Sequence, residues 1–254
     1  MLGHVAGPAA IALLVVAGLW AGTQNALAGG GSFVTLPALM LTGLDARSAN
    51  ITSTVALFPG QVATGWRGGS MAMGAEGLSF RTLAVISLAG GALGAMLLLV
   101  TPSSIFARMV PWLVLFATTA FAWGSFGRRA KARKGRLSPR IAAALQFAVA
   151  IYGGYFGGGI GFLMLAVLTM AALPVRNAGA TKNVLAAAMN LTAAIVFLFA
   201  GHVRWVAALI LGAGAIAGGL FGAWMLKRVN ENILRLMVIA IGVALTIGLF
   251  IVER

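Results

Sequence analysis

The sequence predicts an all-α membrane protein built from two related halves, and three observations carry that prediction. First, 61% of its 254 residues are hydrophobic and only 9% are charged, against about 25% charged in an ordinary soluble domain. Second, the residues free of Asp, Glu, Lys and Arg fall into eight long runs: Val5–Leu44, Ser48–Trp66, Thr82–Ala107, Met109–Gly127, Ile141–Val175, Asn183–Gly201, Trp205–Leu226 and Leu236–Val252. Each is about the length that crosses a bilayer as helix, roughly 20 residues. Third, the same motifs recur in the same order about 129 residues apart.

The composition also excludes several classes. A net charge of +14 in a soluble chain would suggest nucleic acid. Here the basic residues lie between apolar runs, where retention of Lys and Arg on the cytoplasmic side explains them, and no nucleic-acid partner is expected. The absence of cysteine removes disulfides, thiolate metal sites and cysteine nucleophiles. An outer-membrane barrel would show short alternating segments instead of continuous runs. The N-terminal apolar stretch has no preceding Lys or Arg and runs on to Leu44, so it reads as mature structure rather than a signal peptide.

The repeat is anchored at four places. Gly29-Gly30-Gly31-Ser32-Phe33 returns as Gly158-Gly159-Ile160-Gly161-Phe162, and Leu44–Ala49 as Leu173–Ala178. Thr52 corresponds to Thr181, and Gly90–Ala95 to Gly218–Ala223. The predicted units are residues 1–127 and 141–254, joined by a basic linker, 128–140, that holds seven Lys or Arg. The first run of each half is too long for one span: 40 and 35 residues would make helices of about 60 Å and 52 Å at 1.5 Å per residue, against a core of about 30 Å. Each carries a triple glycine, Gly29–Gly31 or Gly157–Gly159, where a continuous helix is least favoured. Each is therefore predicted to be two helical pieces joined by an unwound segment, which in corresponding places of two halves points to a transporter's binding site. The three remaining runs of each half are predicted transmembrane helices.

Two arrangements follow. If the broken run crosses the membrane, each half has four spans and the repeats are parallel. If it turns back as a re-entrant hairpin, each half has three full spans and the repeats are inverted. With the linker inside, the crossing arrangement puts 11 basic residues inside and 7 outside, and the hairpin arrangement 14 and 4. The positive-inside rule therefore favours inversion.

Helix N-termini following the glycine breaks offer free N–H groups and the positive end of a dipole, both suited to an anion. The predicted substrate-binding set is Gly30, Gly31, Ser32, Asn50, Thr52 and Ser53 in the first half with Gly159, Gly161, Thr181, Lys182 and Asn183 in the second. The competing reading is that these glycines only let helices approach closely. Gln24, Asn25, Gln61 and Asn190 are divided between interhelical hydrogen bonds and substrate contact, and Lys182 between the site and the membrane interface. Gly90-Gly91-x-x-Gly94 and Gly218-Gly219-x-x-Gly222 read as helix contacts, Arg47 and Arg176 as interfacial arginines, His4 and His202 as loop or interface residues, and Trp66, Trp112 and Trp205 as an aromatic belt.

The acids are as informative. Asp45, Glu76, Glu231 and Glu253 all fall in predicted loops or at the tail, which disfavours a carboxylate proton relay, a divalent-cation path or an intramembrane metalloprotease. No phosphate loop or His–Glu metal motif is present. The reading is a non-enzymatic carrier or channel for small anions in membrane lipid, with no cofactor or metal expected; a homodimer is the assembly it allows for. An interior-negative potential favours anion export by about 2.3 kcal/mol per charge per 100 mV. The rival readings are an uptake carrier or channel for another anion, a non-transporting subunit of a membrane complex, and a cation transporter.

At these residues the chain resembles the TauE/SafE family of sulfite and organosulfonate exporters, in the toluene sulfonate uptake permease superfamily. The resemblance rests on Ala28–Phe33 followed by Pro37, on Ala49-Asn50-Ile51-Thr52-Ser53, on Gly157–Phe162, on Ala178–Asn183, and on Asn190–Ala194 leading to Phe199–Trp205. It covers almost the whole chain. It implies transport of sulfite, sulfoacetate or related sulfonates across the bacterial inner membrane. The second half departs at Ala166, which stands where the first half has Pro37.

Overall fold

The computed structural model describes residues 7–27, 29–75, 77–126, 138–171, 173–225 and 231–252. Most of the expected basic linker, Glu76, Glu253, Lys227, Arg228 and His4 lie outside them. Ten α-helices and one short 3-10 turn, and no strand, occur among the described residues. The helices are α1 (Pro8–Leu27), α2 (Ser32–Leu41), α3 (Ala46–Gly68), α4 (Phe80–Val100), α5 (Ser103–Phe126), α6 (Pro139–Tyr155), α7 (Ile160–Met170), α8 (Val175–Phe199), α9 (Trp205–Met225) and α10 (Glu231–Val252).

Local chemistry sets several ends. Asp45, Ser79 and Ser138 each accept a hydrogen bond from the backbone N–H three residues on and so cap α3, α4 and α6. Pro139 occupies the first turn of α6, where its missing N–H costs nothing. Arg47 donates from Nη1 to the carbonyls of Leu99 and Thr101, closing the C-terminal end of α4.

Eight apolar runs are expected from the sequence, and five helical stretches among the described residues are long and apolar enough to span: Pro8–Ala26, Phe80–Val100, Ser103–Ala120, Asn177–Phe199 and Trp205–Gly222. Helix α3 has 23 residues, but Asn50, Thr52, Ser53, Thr54 and Gln61 lower its hydropathy. Helices α2 and α7, with 10 and 11 residues, reach only about 15 Å, half of a bilayer core. The exterior is apolar: Val16, Leu41, Val100, Phe116, Phe199 and Leu209 are exposed. Phe33, Phe106, Phe156, Phe197, Leu14 and Ile51 are fully buried.

Packing pairs elements across the two halves of the chain. α1 lies on α9, α4 on α6, α3 on α8 and α5 on α10, while α2 and α7 lie against α3 and α8. Backbones approach closely at glycines. A Cβ on Gly18 would meet Leu211 O at 2.3 Å, and one on Gly218 would meet Leu19 O at 2.0 Å. A Cβ on Gly94 would meet Ile151 O at 2.1 Å, and one on Gly154 would meet Gly91 O at 2.1 Å. The expected small-residue contacts are thus where these helix pairs touch.

The same contacts give direction. Residue numbers rise together along α1 and α9, and along α4 and α6, so each pair is parallel. Gln61 meets Asn190 while Gly65 meets Ala187, so α3 and α8 are antiparallel. One end of the bundle gathers the start of α3, the end of α4, the start of α5 and the α8–α9 turn: Ser103 bonds Asp45, and the Arg204 N–H donates to Thr52 Oγ1. The opposite end gathers the α3–α4 connection and the starts of α6 and α8: Thr181 bonds Met73, Asn177 bonds Met71 O, and Pro139 lies near Gly77. α1 begins at the first end with its partner α9, and α6 begins at the other end with α4.

Candidate functional site

The first candidate element is the turn between α1 and α2. Gly29 and Gly30 have φ of 90° and 84°, left-handed values that a side chain would strain. They reverse the chain so that α2 starts beside the last turns of α1, where a Cβ on Gly31 would lie 2.7 Å from Ala21 O. Side chains hold this turn. Trp20 Nε1 donates to Gln24 Oε1 at 2.9 Å, Gln24 Nε2 donates to Gly30 O at 3.2 Å, and the Gly31 N–H donates to Asn25 Oδ1 at 2.7 Å. One of the N–H groups expected to be free at the start of α2 is therefore committed within the protein.

The second element is the turn between α6 and α7, with Gly157 at φ 78° and Gly159 at φ 72°. Positions 24 and 25 correspond here to Gly153 and Gly154, so no amide holds it from its own helix. Asn50 Nδ2 does so from α3, donating to Tyr155 O at 3.0 Å. The two turns meet: Phe33 of α2 rests on Gly158, where a Cβ would come within 2.9 Å of its ring.

Between the turns lies a small cavity, partly open to the surface, lined on one side by Asn25, Gly30, Ser32 and Gln61 and on the other by Gly157, Gly161, Lys182 and Asn183. The Lys182 amine lies over the first turn of α7, 3.5 Å from where a Gly161 Cβ would be. Among the described residues no carboxylate pairs with it. Asn25 Oδ1 is taken by Gly31, and Gln61 Oε1 is taken by Asn190 Nδ2 at 2.5 Å. What these residues leave for the cavity is the NH₂ groups of Asn25 and Gln61, the Ser32 hydroxyl, the Asn183 amide and the Lys182 ammonium. A wall of donors around one fixed positive charge is complementary to an oxyanion.

Of the residues predicted from sequence, the structure brings Gly30, Ser32, Gly161, Lys182 and Asn183 to this cavity. The others lie behind it. Gly31 and Gly159 precede the short helices, Asn50 supports the second turn, and Ser53 bonds Thr35. Thr52 accepts from Arg204 N, and Thr181 both accepts from Met73 N and donates to Met73 O. Asn25 and Gln61, which the sequence leaves between packing and substrate contact, are both in the lining, as is Thr64. No group of His, Cys, Asp or Glu suited to a metal occurs among the described residues.

These features define an α-helical membrane protein with a donor-lined cavity where two glycine turns meet. The chain belongs to the TauE/SafE sulfite exporter family, whose pattern matches residues 14–249. It is 29% identical over 242 residues to a probable membrane transporter protein of Haemophilus influenzae, covering 93% of this chain and 92% of that one. It is 29% identical over 256 residues to the probable membrane transporter protein ORF9 of Sinorhizobium sp, covering 94% and 92%. It is also 23% identical over 242 residues to the probable membrane transporter protein YfcA of Escherichia coli, covering 94% and 89%. No solved structure matches the chain.

Proposed function

We propose that this protein is a secondary transporter that exports a small sulfur-containing oxyanion, sulfite or an organosulfonate such as sulfoacetate, across the bacterial inner membrane by alternating access. The observation that carries the proposal is the Lys182 ammonium, which lies at the cavity among free donors with no carboxylate partner among the described residues. A cation held this way in a membrane is costly unless it serves a ligand.

In this reading Gly30, Ser32, Gly161, Lys182 and Asn183 contact the anion. Gly31, Asn50, Thr52, Ser53, Gly159 and Thr181 shape the turns and helix ends around it. The halves, 1–127 and 141–254, act as inverted repeats whose α1–α2 and α6–α7 pairs are re-entrant hairpins. The opposed starting ends of α1 and α6, and the exchange of partners between halves, support that arrangement. Arg67, Arg81, Arg140 and Arg176 belong to one end of the bundle, which the positive-inside rule makes cytoplasmic. Gln61, Thr64, Lys182 and Asn183 lie in the parts of α3 and α8 nearer that end, and Phe33 and Phe156 are fully buried. That placement supports a state open to the cytoplasm, from which an anion leaves down the membrane potential at about 2.3 kcal/mol per charge per 100 mV.

The test is thermal stabilisation of the detergent-purified protein across sulfite, sulfate, sulfoacetate, phosphate and chloride. A ligand at 100 times its dissociation constant adds about 2.7 kcal/mol if only the folded state binds it. Lys182→Ala removes a charged hydrogen-bond donor worth about 1.5–3 kcal/mol and is expected to weaken sulfite or sulfonate binding at least tenfold. Arg108→Ala, outside the cavity lining, is expected to leave it unchanged. Equal effects of the two substitutions overturn the site.

A further inference from the structure

Resting on the anion reading above, we propose that Asn25 and Gln61 are specificity-determining residues, each turned by its own oxygen's hydrogen bond to present only NH₂ to the substrate. The cavity accordingly accepts a sulfonate or related oxyanion whose remaining part carries no cationic group.

The argument is one of donor and acceptor identity. A backbone N–H can only donate, so the Gly31 N–H fixes Asn25 with Oδ1 toward the turn and leaves Nδ2 for the cavity. Gln61 meets a second amide, which could donate or accept, and in this structure Asn190 Nδ2 donates to Gln61 Oε1. Gln61 and Asn190 are 129 residues apart, the spacing of the sequence repeat, so the bond joins equivalent positions of α3 and α8. Two amides meeting in this way cannot play the same role. One gives its oxygen and keeps its NH₂ free, and here that one is Gln61, the member lining the cavity. Asn190 is thus a positioning residue.

With both side-chain oxygens used, Lys182, Ser32 and Asn183 complete a wall that offers hydrogen atoms to an anion. The available side-chain acceptors are the Ser32 and Thr64 hydroxyls and the Asn183 amide oxygen, all neutral. An ammonium group brought in with the substrate would face Lys182 and exchange its water shell for no charged partner.

The experiment compares methanesulfonate, a permanent monoanion, with taurine, which carries the same sulfonate and an ammonium, by thermal shift and calorimetry on the full chain. The wild type is expected to bind methanesulfonate at least tenfold more tightly than taurine. Asn25→Asp retains an oxygen for the Gly31 N–H, so the ligand-free melting temperature should change little. It puts a carboxylate oxygen where the NH₂ was, lowering methanesulfonate affinity at least tenfold and bringing the preference over taurine to unity or below. Asn190→Leu tests positioning without new charge. It should weaken methanesulfonate binding about fivefold when Gln61 is present and not at all in a Gln61→Leu background, a coupling that loss of fold would not produce. If Asn190→Leu does not fold, Asn190→Ser, too short to reach Gln61, takes its place. Equal binding of taurine and methanesulfonate by the wild type, an unchanged preference in Asn25→Asp, or equal weakening in both Gln61 backgrounds overturns this inference and leaves the anion site standing. Failure of the wild type to bind either sulfite or any sulfonate overturns the anion reading itself.

Discussion

Gly94→Ala isolates the contact that holds α6, and through it the second glycine turn, against α4. A methyl group at Gly94 would sit 2.1 Å from Ile151 O, 2.7 Å from Tyr155 N and 3.0 Å from Gly154 C, all backbone atoms. Ordinary contact begins at 3.4 Å, so the Ile151 carbonyl must retreat by 3.4 − 2.1 = 1.3 Å. No side-chain rotation provides that; the two helices must separate. Overpacking of a tight core costs about 1–3 kcal/mol, and a clash with rigid backbone belongs at the upper end. The intrinsic preference of helices for Ala over Gly returns about 1 kcal/mol, leaving a net loss of about 2 kcal/mol. Gly248→Ala is the control, because nothing lies within 4 Å of its Cβ and only the propensity gain of about 1 kcal/mol remains. Equilibrium unfolding in mixed micelles, read by far-UV circular dichroism, measures both. A Gly94→Ala protein as stable as the wild type, or stabilised like Gly248→Ala, would refute the assignment of these glycines to close helix contact.

Two further substitutions probe the supports of the site. Thr181→Val removes both hydrogen bonds to Met73 and is expected to cost about 1–3 kcal/mol; sulfonate affinity, measured calorimetrically, should change less than twofold. Asp45 caps α3, and although burial opposes its charge, hydrogen bonds from Ser103 and Ser48 hold its carboxyl below the usual value of 3.8. Its stabilisation is therefore complete above about pH 4 and is lost as pH falls through the lowered folded value. Asp45→Ala should cost about 1 kcal/mol at pH 7, with the difference in melting temperature shrinking as the pH is taken below 4.

How much of this could be read from sequence depends on the physical range of each signal. Helical class and the small-residue contacts follow from local composition, because lipid demands long apolar helices and close packing demands missing side chains. Lys182 stands out in the sequence too, since a cation inside an apolar run is rare, but the sequence leaves it between the site and the membrane interface, and its substrate role is the one proposed above. The roles of Thr52, Ser53 and Thr181 were not legible. Their hydroxyls suit an anion equally well on paper, but each meets a partner that is close only after folding: Arg204 N, Thr35 and Met73. Asn25 and Gln61 gained definition for the same reason, from Gly31 and Asn190. The one available sequence signal was the 129-residue spacing of Gln61 and Asn190, which places two amides at equivalent points of α3 and α8.

The unequal residues of the two halves bear on direction of transport. At the repeat spacing, Lys182 and Asn183 correspond to Ser53 and Thr54, and Gln24 and Asn25 to Gly153 and Gly154. The amides fasten the first turn and the cation of the described lining, Lys182, comes from the second half, so a carrier that exchanged the conformations of its halves would not present the same wall to both sides. In the proposed transporter the anion would meet Lys182 facing one way and, if the halves exchanged conformations and freed Ser53 from Thr35, hydroxyls at Ser53 and Thr54 facing the other. One charged donor against one neutral donor is a difference of about 1–2 kcal/mol, or roughly five- to thirtyfold in affinity. In the proposed orientation the tighter face is cytoplasmic, which suits capture of a scarce anion inside and its release outside. In the exporter proposed above the membrane potential would supply the net driving force, so this asymmetry would tune the rate of export and leave its equilibrium unchanged.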